Sequence, residues 1–489
     1  MATGTPPRDG TSMRIEHLID RAVARHPQKV ALICAERRWT YAALAEELDR
    51  RAAVLVEAGV QPGEIVLTSV PATDDLTITA LACCRAAVVM LPISGQLAPG
   101  EMAALAAQAR PRMILTGDGA AHPVLTDYPA LPLALPGTPG EAAHTEAQAR
   151  STRSGGDAPA MLRTTSGTTR TLPKLAILPH RQFTWRRSSR AWWETGDGVY
   201  CKPQEHLIGP YDIFQVFALG ATLVQTAALA PDRLEHELAR HGVTDLWTVP
   251  ARLHPLAQSP HPPPAGLRLR AIRTGSAPLP PGLREAIARR YGVPVVQTYG
   301  SSEMNFIIAT PPRETPTEGI GTALPGVTIR LVDEDGRDVP EGEIGELIAR
   351  PPATMLGYLA DPAATAAILR DGWVYTGDLA RRDAAGGYAL VGRRSLLINT
   401  GGRKVSPEEV EAILVEHPGV REAVVVAAPD AARGAIIRAI IVPEGPPPTV
   451  SELGRFCRAR LAAYKVPRQF EFRDTLPRSP LGKVLRAKL

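Results

Sequence analysis

Residues 164–174 read Thr-Thr-Ser-Gly-Thr-Thr-Arg-Thr-Leu-Pro-Lys, and the interpretation of the whole chain starts from this stretch. It has no apolar period, whereas the apolar pair Met161 and Leu162 precedes it and the apolar run Leu175–Leu178 follows it. The pattern therefore predicts a loop between two buried strands. Backbone N–H groups and hydroxyls gathered at one concave point suit phosphate oxygens, and Lys174 adds a compact positive charge. Taken alone, the stretch fits an ordinary Ser/Thr turn equally well, and it lacks the pattern of a Walker loop.

Four later stretches carry related chemistry. They read Gln-Thr-Tyr-Gly-Ser-Ser-Glu at 297–303, Tyr-Thr-Gly-Asp-Leu at 375–379, Gly-Arg-Arg at 392–394 running to Gly-Gly-Arg-Lys-Val at 401–405, and Pro-Arg-Ser-Pro-Leu-Gly-Lys at 477–483. Together with 164–174 they resemble the adenylate-forming superfamily, which comprises acyl- and aryl-CoA ligases, non-ribosomal-peptide adenylation domains and luciferases. The resemblance extends from about Trp39 to Leu485. Five motifs in this order are a specific signal, although each one alone would be weak.

The resemblance and the apolar patterns together predict an α/β fold with two domains. A large N-terminal AMP-binding domain, 1–391, would contain βαβ-type sheets packed with helices, because strand and helix patterns alternate there. A hinge at 392–396 would lead to a small, mobile α+β domain at 397–489 that carries Lys483. Within the large domain, 134–160 is rich in Pro, Gly, Ala, Thr and Ser without an apolar period, which predicts a surface linker.

By resemblance, several residues form a site for ATP. The β- and γ-phosphates would be cradled by Thr165, Ser166, Gly167, Thr168, Thr169 and Lys174. Tyr299, followed by Gly300, would stack on adenine. Asp378 would accept hydrogen bonds from the ribose hydroxyls, and Arg393 would contact ribose or phosphate.

The resemblance also implies the catalytic groups. Ser302 would bond the α-phosphate in place of the family's usual threonine. Glu303 would hold Mg²⁺, a hard cation that suits carboxylate and phosphate oxygens. Lys483 would bridge the substrate carboxylate and the α-phosphate, which requires the small domain to dock. The small domain would then rotate, and Gly401 and Gly402 would line a tunnel for the pantetheine thiol of CoA.

The acid would lie beside the turn formed by Gly275, Ser276 and Ala277, which is similar to the family's Gly-Gly-Ala-Pro turn. Tyr211 and Asp212 precede an apolar run at the place where a helix begins one wall of the acid pocket in the family. Asp212 is closer to the aspartate of amino-acid-activating domains than to the histidine of many CoA ligases. An Asp at a helix start is also a good N-cap, and the two roles are compatible. Phe183–Glu194 predicts a helix with one aromatic face, for which core packing is the favoured interpretation.

The phosphate loop and the hinge motif each depart from the family pattern. Arg170 replaces the last glycine of the phosphate loop, and one extra residue precedes Pro173, so the loop must be wider. Ser395 stands where the hinge usually has Asp or Lys, and Asn399 replaces a common lysine. These departures are compatible with adenylation and weaken the case for CoA transfer.

Composition excludes other classes of function. The chain of 489 residues has a net charge of +5 without a basic run interleaved with aromatics, so a nucleic-acid partner is not expected. No run approaches the ~18 apolar residues of a membrane helix, and the first residues lack a signal-peptide core. A cytoplasmic location without a membrane partner is therefore expected. The five cysteines lack metal-ligand spacing, which favours reduced, buried thiols.

The leading hypothesis is an ATP-dependent ligase that converts an aryl or medium-sized carboxylic acid to its acyl adenylate and transfers it to a thiol, most simply that of CoA. One alternative is activation of an amino or aminoaryl acid for a separate carrier protein or an amine. Another is activation of nitrite by ATP for diazotisation, as in some relatives from natural-product biosynthesis. The alternative that is not an enzyme is a non-catalytic scaffold that binds nucleotide. Retention of Glu303, Asp378, Arg393 and Lys483 together argues against it.

Overall fold

The structure, a computed structural model, describes residues 13–68, 73–93, 97–117, 119, 122–153, 155–165, 173–185, 197–203, 211–277, 279–311, 319–400, 403–430, 434–478 and 484–489. The chain divides into two compact units. The first contains Met1–Glu314, Leu324–Val327 and Pro351–Leu369, and the second contains Thr315–Ala323, Thr328–Arg350 and Arg370–Leu489.

The first unit contains a sheet with six parallel strands at its centre. In spatial order its strands are Asn305–Ala309, Val295–Ser301, Ala271–Gly275, Asp245–Thr248, Val199–Pro203, Thr222–Thr226, Val30–Cys34 and Arg37–Thr40. The strands at the two ends of this series pair antiparallel, and the pairs between them are parallel. Parallel strands are buried on both faces, which explains their continuous apolar runs. Helices Tyr211–Ala218, Pro231–Arg240, Pro250–Gln258 and Pro281–Tyr291 lie between these strands along the chain.

A second sheet of the same unit contains the strands that flank the phosphate loop. Its order is Gly357–Tyr358, Leu175–Pro179, Pro159–Thr164, Val89–Pro92, Ile65–Thr68, Met113–Thr116 and Ala130–Pro132. The associated helices are Glu16–Arg25, Tyr41–Glu57, Asp74–Arg85, Pro99–Ala109, Glu141–Arg153, His180–Thr184 and Pro362–Ile368. The predicted βαβ alternation is confirmed, since Ile65–Thr68 pairs in parallel with Val89–Pro92 across a helix.

Local signals account for the helix boundaries in this unit. Thr40 caps the helix Tyr41–Glu57, because its hydroxyl accepts a hydrogen bond from the Ala43 N–H at 3.2 Å. The helix contributes Leu44 and Leu48 to a core shared with helices Glu16–Arg25 and Asp74–Arg85. A threonine directly before a run with an apolar helical period predicts such a cap, and the structure confirms it at Thr40.

The prediction of a surface linker at 134–160 is wrong. A helix, Glu141–Arg153, lies in this range, and the strand Pro159–Thr164 begins at its end. The helix packs on Tyr41–Glu57 with small and charged residues in place of large apolar ones. Ala147 is buried, and the buried Arg150 donates to the carbonyl of Val60 at 2.7 Å and to Glu146 at 3.0 Å. Tertiary contacts thus stabilise a helix that has almost no apolar stripe.

The second unit begins with a mainly antiparallel sheet. Thr328–Val332 pairs with Gly345–Arg350, which pairs with Trp373–Arg382, and Tyr388–Arg393 pairs with the last of these. The sequence from Leu331 to Ala349, with its acidic turn at 333–336, has the pattern of a hairpin, and this pairing confirms it. The two-residue strand Leu369–Arg370 is the remaining strand of this sheet. Thr322–Ala323 is a further two-residue strand outside it.

The C-terminal part of the second unit has α+β structure, as predicted. Strands Ile398–Thr400 and Arg403–Val405 form one pair, and Val420–Asp430, Gly434–Pro443 and Gln469–Phe472 form a three-stranded sheet. Helices Pro407–Val415 and Val450–Arg458 pack on this sheet through Val410, Leu414 and Leu453. The apolar pattern predicts the second helix over 450–463, but the helix ends at Arg458 and a 3₁₀ turn follows at Ala463–Lys465. The hinge at 392–396 stays a prediction; a strand ends there at Arg393 and a 3₁₀ turn spans Arg394–Leu396.

Candidate functional site

The phosphate loop connects two strands, as predicted, and these strands pair antiparallel. Thr164 lies opposite Leu175 in the pairing of Pro159–Thr164 with Leu175–Pro179. The Thr165 N–H donates to the carbonyl of Lys174 at 2.9 Å, which closes the loop at its base. The loop residues Ser166, Gly167, Thr168, Thr169 and Arg170 lie outside the described residues. The position of Lys174 is thereby set by a hydrogen-bonded hairpin end.

The acidic motif follows the strand Val295–Ser301. Tyr299 and Gly300 are the fifth and sixth residues of this strand, and Ser302 and Glu303 follow it directly. A Cβ at Gly300 would lie 2.6 Å from the Phe306 Cα and still closer to the Asn305 carbonyl, so only glycine fits there. The turn therefore needs glycine for close backbone approach.

Backbone hydrogen bonds hold the turn at Ser302 and Glu303 from two sides. The Gln182 side-chain amide donates to the Ser302 carbonyl at 3.0 Å. The Met355 N–H donates to the Glu303 carbonyl at 2.8 Å. These bonds fix the main chain from which the Glu303 carboxylate projects.

Tyr358 joins this turn to the phosphate loop. Its hydroxyl donates to Glu303 Oε1 at 2.6 Å, and Lys174 Nζ lies 4.9 Å from the centroid of its ring. The structure thus brings Lys174 and Glu303, two site residues expected from distant motifs, onto one tyrosine. Sequence reasoning missed Tyr358. The available signal was local: Asp361 and Pro362 mark a helix start directly after the Gly357–Tyr358 strand.

Asp378 and Arg393 form a cross-strand ion pair in the second unit. They are register partners on the strands Trp373–Arg382 and Tyr388–Arg393, and Arg393 Nε donates to Asp378 Oδ1 at 2.6 Å. The Asp378 side chain is 13% exposed and the Arg393 side chain 42% exposed. The guanidinium therefore orients a carboxylate that remains accessible to a ligand.

Glu346 supports the same two motifs. Its Oε1 accepts from the Gly377 N–H at 3.1 Å, and its Oε2 accepts from Arg394 at 2.6 Å. Glu346 is buried, and it ties the turn before Asp378 to the residue after Arg393. The sequence contained no signal for this link, because Glu346 lies about 30 residues before Asp378 and only the pairing of their strands brings them together.

The residues expected beside the acid lie at the carboxyl end of a parallel strand. Gly275 ends Ala271–Gly275, and Ser276 and Ala277 follow it as exposed residues. A Cβ at Gly275 would lie 2.5 Å from the Thr298 hydroxyl, so the glycine permits close contact with the neighbouring strand. Carboxyl ends of parallel strands are the usual ligand edge of such a sheet.

The remaining expected residues are placed only in part. Asp212 is the second residue of helix Tyr211–Ala218, and its side chain lies outside the described residues. The aromatic helix expected at 183–194 is described only as far as Trp185, where helix His180–Thr184 ends. Gly401, Gly402 and Lys483 lie outside the described residues, and Ser395 is exposed within the 3₁₀ turn. The roles of these residues stay predictions.

A buried polar cluster in the first unit lies apart from these motifs. Potential ligand atoms of Glu16, Cys84 and His180 lie within 4.8 Å of one another. Arg14 Nε donates to Glu16 Oε1 at 2.5 Å, so a guanidinium already supplies the positive charge that a metal ion would bring. Burial lowers the pKa of His180 well below its ordinary value and raises that of Cys84, which keeps both side chains neutral. We assign this cluster a structural role.

Within the described part of the chain, no helix combines the length and apolar character needed to cross a bilayer.

Comparisons with known proteins match nearly the whole chain. A family profile described as AMP-binding enzyme matches residues 19–359, and one described as AMP-binding enzyme C-terminal domain matches residues 409–483. The chain is 32% identical to the fatty acid–acyl-carrier-protein ligase ScoC of Streptomyces coeruleorubidus, over 95% of this chain and 94% of that protein. It is 31% identical to the indoleacetate–CoA ligase of Aromatoleum aromaticum, over 96% of both. Its fold is similar to that of the o-succinylbenzoate coenzyme A synthetase of Bacillus subtilis in complex with ATP and magnesium ion, with a TM-score of 0.85, 26% identity, and coverage of 96% of this chain and 98% of that one.

Proposed function

Because this chain belongs to the family of AMP-binding, adenylate-forming enzymes, we propose that it activates an aryl or medium-sized carboxylic acid with ATP and transfers the acyl group to CoA. The resemblance deduced from the five motifs is confirmed, and so is the α/β fold class with a large N-terminal and a small C-terminal part. The protein is an adenylate-forming ligase. The identity of the acid and of the acceptor belongs to the proposal.

The main observation in support of the proposal is that Lys174 and Glu303 both contact Tyr358. A cation at the end of a Ser/Thr/Gly loop and a fixed carboxylate nearby are complementary to a magnesium-bound polyphosphate. Both groups belong to the first unit and are held by hydrogen-bonded backbone.

The first half-reaction joins two anions. An oxygen of the substrate carboxylate attacks the α-phosphorus of ATP, the bond from that phosphorus to the bridging oxygen breaks, and pyrophosphate leaves with the electron pair. Such transfers depend on positioning and on electrostatic stabilisation of developing charge. We assign the β- and γ-phosphates to Thr165, Lys174 and the loop between them, the α-phosphate to Ser302, and the bridge between the reacting groups to Lys483.

The nucleoside half of ATP would be held by the second group of motif residues. Tyr299 would stack on adenine, and Asp378, already oriented by Arg393, would accept hydrogen bonds from the ribose hydroxyls. A carboxylate fixed by a guanidinium loses less conformational freedom when a ligand binds. This division assigns phosphate and ribose recognition to different motifs.

Glu303 fits the magnesium ion that this chemistry requires. Its carboxylate is the oxygen ligand that Mg²⁺ favours, and the Tyr358 hydroxyl occupies only Oε1. When bound with the nucleotide, Mg²⁺ would supply positive charge against the phosphate oxygens. The contribution of Glu303 itself is a negative oxygen held in place by the Tyr358 hydroxyl.

In the second half-reaction a thiol sulfur attacks the acyl carbon, the acyl–phosphate bond breaks, and AMP leaves. CoA is the acceptor in our proposal, supported by similarity to a CoA ligase over 96% of the chain. A carrier-protein thiol is the second candidate, supported by similarity to an acyl-carrier-protein ligase over 95% of the chain. Both acceptors present a thiol, so the first half-reaction is the same.

The test is pyrophosphate release from MgATP across a panel of aliphatic, aryl, amino and aminoaryl acids. Each acid is measured without acceptor, with CoA, with a carrier protein and with nitrite. We expect one acid class to give release and a thioester when CoA is added. Release that requires nitrite and ignores CoA would replace the proposal by a diazotising activity, and no release with any acid would refute it.

A matched variant tests the assignment of the catalytic lysine. Lys483→Ala is expected to abolish adenylate formation while leaving ATP binding nearly unchanged. In our assignment Lys483 contacts only the substrate carboxylate and the α-phosphate, whereas other residues bind the rest of the nucleotide. Lys488→Ala, five residues further on, is the control and should behave as wild type. Unchanged turnover in Lys483→Ala would refute the assignment.

A further inference from the structure

We propose that Tyr358 is a positioning residue that holds the Glu303 carboxylate for Mg²⁺ and the Lys174 ammonium for the ATP phosphates. The inference rests on the proposed function, since it concerns how the same site holds MgATP. It adds a residue that lies in none of the five motifs from which the site was deduced. Tyr358 is 6% exposed, so its hydroxyl and ring face protein groups.

The hydroxyl acts on the carboxylate. It donates to Glu303 Oε1 at 2.6 Å, a length typical of a hydrogen bond to an ionised acceptor. Among the described residues no other side chain or backbone group forms a hydrogen bond with the Glu303 carboxylate, so Oε2 is available to a metal ion. Partners of this kind orient metal-binding carboxylates and raise the affinity for the ion.

The ring acts on the lysine. Lys174 Nζ lies 4.9 Å from the ring centroid, within the range of a cation–π contact. A lysine has four rotatable side-chain bonds, and packing against a ring reduces the number of conformations that the ammonium samples. One side chain therefore sets the positions of two opposite charges.

The backbone of Tyr358 is itself held on both sides. Gly357 and Tyr358 pair antiparallel with Ile177 and Ala176, directly after the phosphate loop. The Tyr358 N–H donates to the Thr365 hydroxyl at 2.8 Å. This support makes Tyr358 a fixed point relative to the strand that begins after Lys174.

Helix Pro362–Ile368 supplies the second support. Asp361 caps the helix by accepting from the Ala364 N–H at 2.9 Å, and the Thr365 hydroxyl donates to the Asp361 carbonyl at 2.9 Å. The helix thus presents Thr365 to the Tyr358 backbone. The arrangement is built from local and cross-strand bonds, which suits a part that must stay rigid while the nucleotide binds.

The test separates the hydroxyl from the ring. Tyr358→Phe removes only the hydroxyl, and Tyr358→Leu removes the ring as well. The ATP dissociation constant of each variant is measured by calorimetry without acid substrate, once with Mg²⁺ and once with EDTA. This readout is binding and does not require catalysis.

In EDTA, we expect Tyr358→Phe to have the same ATP dissociation constant as wild type. With Mg²⁺, its ATP dissociation constant should be roughly 10- to 100-fold higher than that of wild type, as is typical when a partner of a metal ligand is removed. Tyr358→Leu is expected to bind ATP more weakly in EDTA also, because the ring beside Lys174 is gone. The half-saturating Mg²⁺ concentration for pyrophosphate release should rise in Tyr358→Phe with little change in the rate at saturating Mg²⁺.

The control is Tyr41→Phe, which removes another buried tyrosine hydroxyl of the same unit. That hydroxyl donates to the Ala221 carbonyl at 2.7 Å and has no hydrogen bond to a motif residue among those that the structure describes. It should lower stability without changing the effect of Mg²⁺ on ATP binding. If Mg²⁺ lowers the ATP dissociation constant of Tyr358→Phe as much as that of wild type, the inference about Tyr358 is overturned. The proposed function would still stand in that case, provided that wild type releases pyrophosphate. Failure of the wild type to bind MgATP or to release pyrophosphate would instead overturn the proposed function.

Discussion

Gly300→Ala is the sharpest structural test of the site, because the added methyl group has no space. The new Cβ would lie 2.6 Å from the Phe306 Cα and nearer still to the Asn305 carbonyl. An ordinary contact of this kind is 3.4–4 Å, so the strand Asn305–Ala309 must move by about 1 Å, and atoms of the backbone cannot rotate away as a side chain can.

Two magnitudes follow from this displacement. Overpacking of this kind costs about 1–3 kcal/mol of unfolding free energy. A shift of about 1 Å in catalytic groups lowers the rate by roughly 100-fold, and Ser302 and Glu303 lie two and three residues after Gly300. We therefore expect a lower urea midpoint and a large loss of acid-dependent pyrophosphate release.

The control is Gly282→Ala, in helix Pro281–Tyr291, where an added Cβ meets nothing within 4 Å. Alanine is favoured over glycine in a helix by about 1 kcal/mol, so this variant should be at least as stable as wild type and fully active. Wild-type stability and activity in Gly300→Ala would refute the close packing of the two strands.

Three further predictions follow from single contacts. Asp378→Asn should raise the ATP KM by roughly tenfold or more with a smaller effect on kcat, since a charge-assisted hydrogen bond is worth about 1.5–3 kcal/mol; an unchanged ATP KM in steady-state kinetics would contradict the ribose assignment. Thr40→Ala should lower the unfolding free energy by about 1 kcal/mol through loss of the cap on the Ala43 N–H, with turnover unchanged, as measured by urea unfolding and pyrophosphate release. Burial raises the pKa of the Cys83 thiol to about 12, so this thiol should resist iodoacetamide in the native protein up to pH 9 and react on unfolding. Because the folded pKa is raised, the contribution of this group to stability is complete below its unfolded pKa and falls as pH rises from there towards 12; rapid native labelling at pH 8, read by mass spectrometry, would contradict the burial.

Most elements of the fold were predictable from local signals. The Thr40 cap, the continuous apolar runs of the parallel strands and the alternation of helix and strand each report a short-range preference of the backbone. The candidate site was predictable to the same extent, because Glu303 and Asp378 lie in short motifs whose order along the chain resembles one superfamily. These features are properties of neighbouring residues, and the sequence contains them in full.

The tertiary structure decided which distant residues meet. Tyr358 contacts Glu303 and Lys174 because its strand pairs beside the phosphate loop, and Arg393 reaches Asp378 because cross-strand register places them opposite each other. The helix Glu141–Arg153 forms by packing on Tyr41–Glu57, although its own pattern is that of a linker. Composition and apolar period indicate how one segment prefers to fold. The contacts above depend on pairing and packing between distant segments, which a single sequence does not specify by itself.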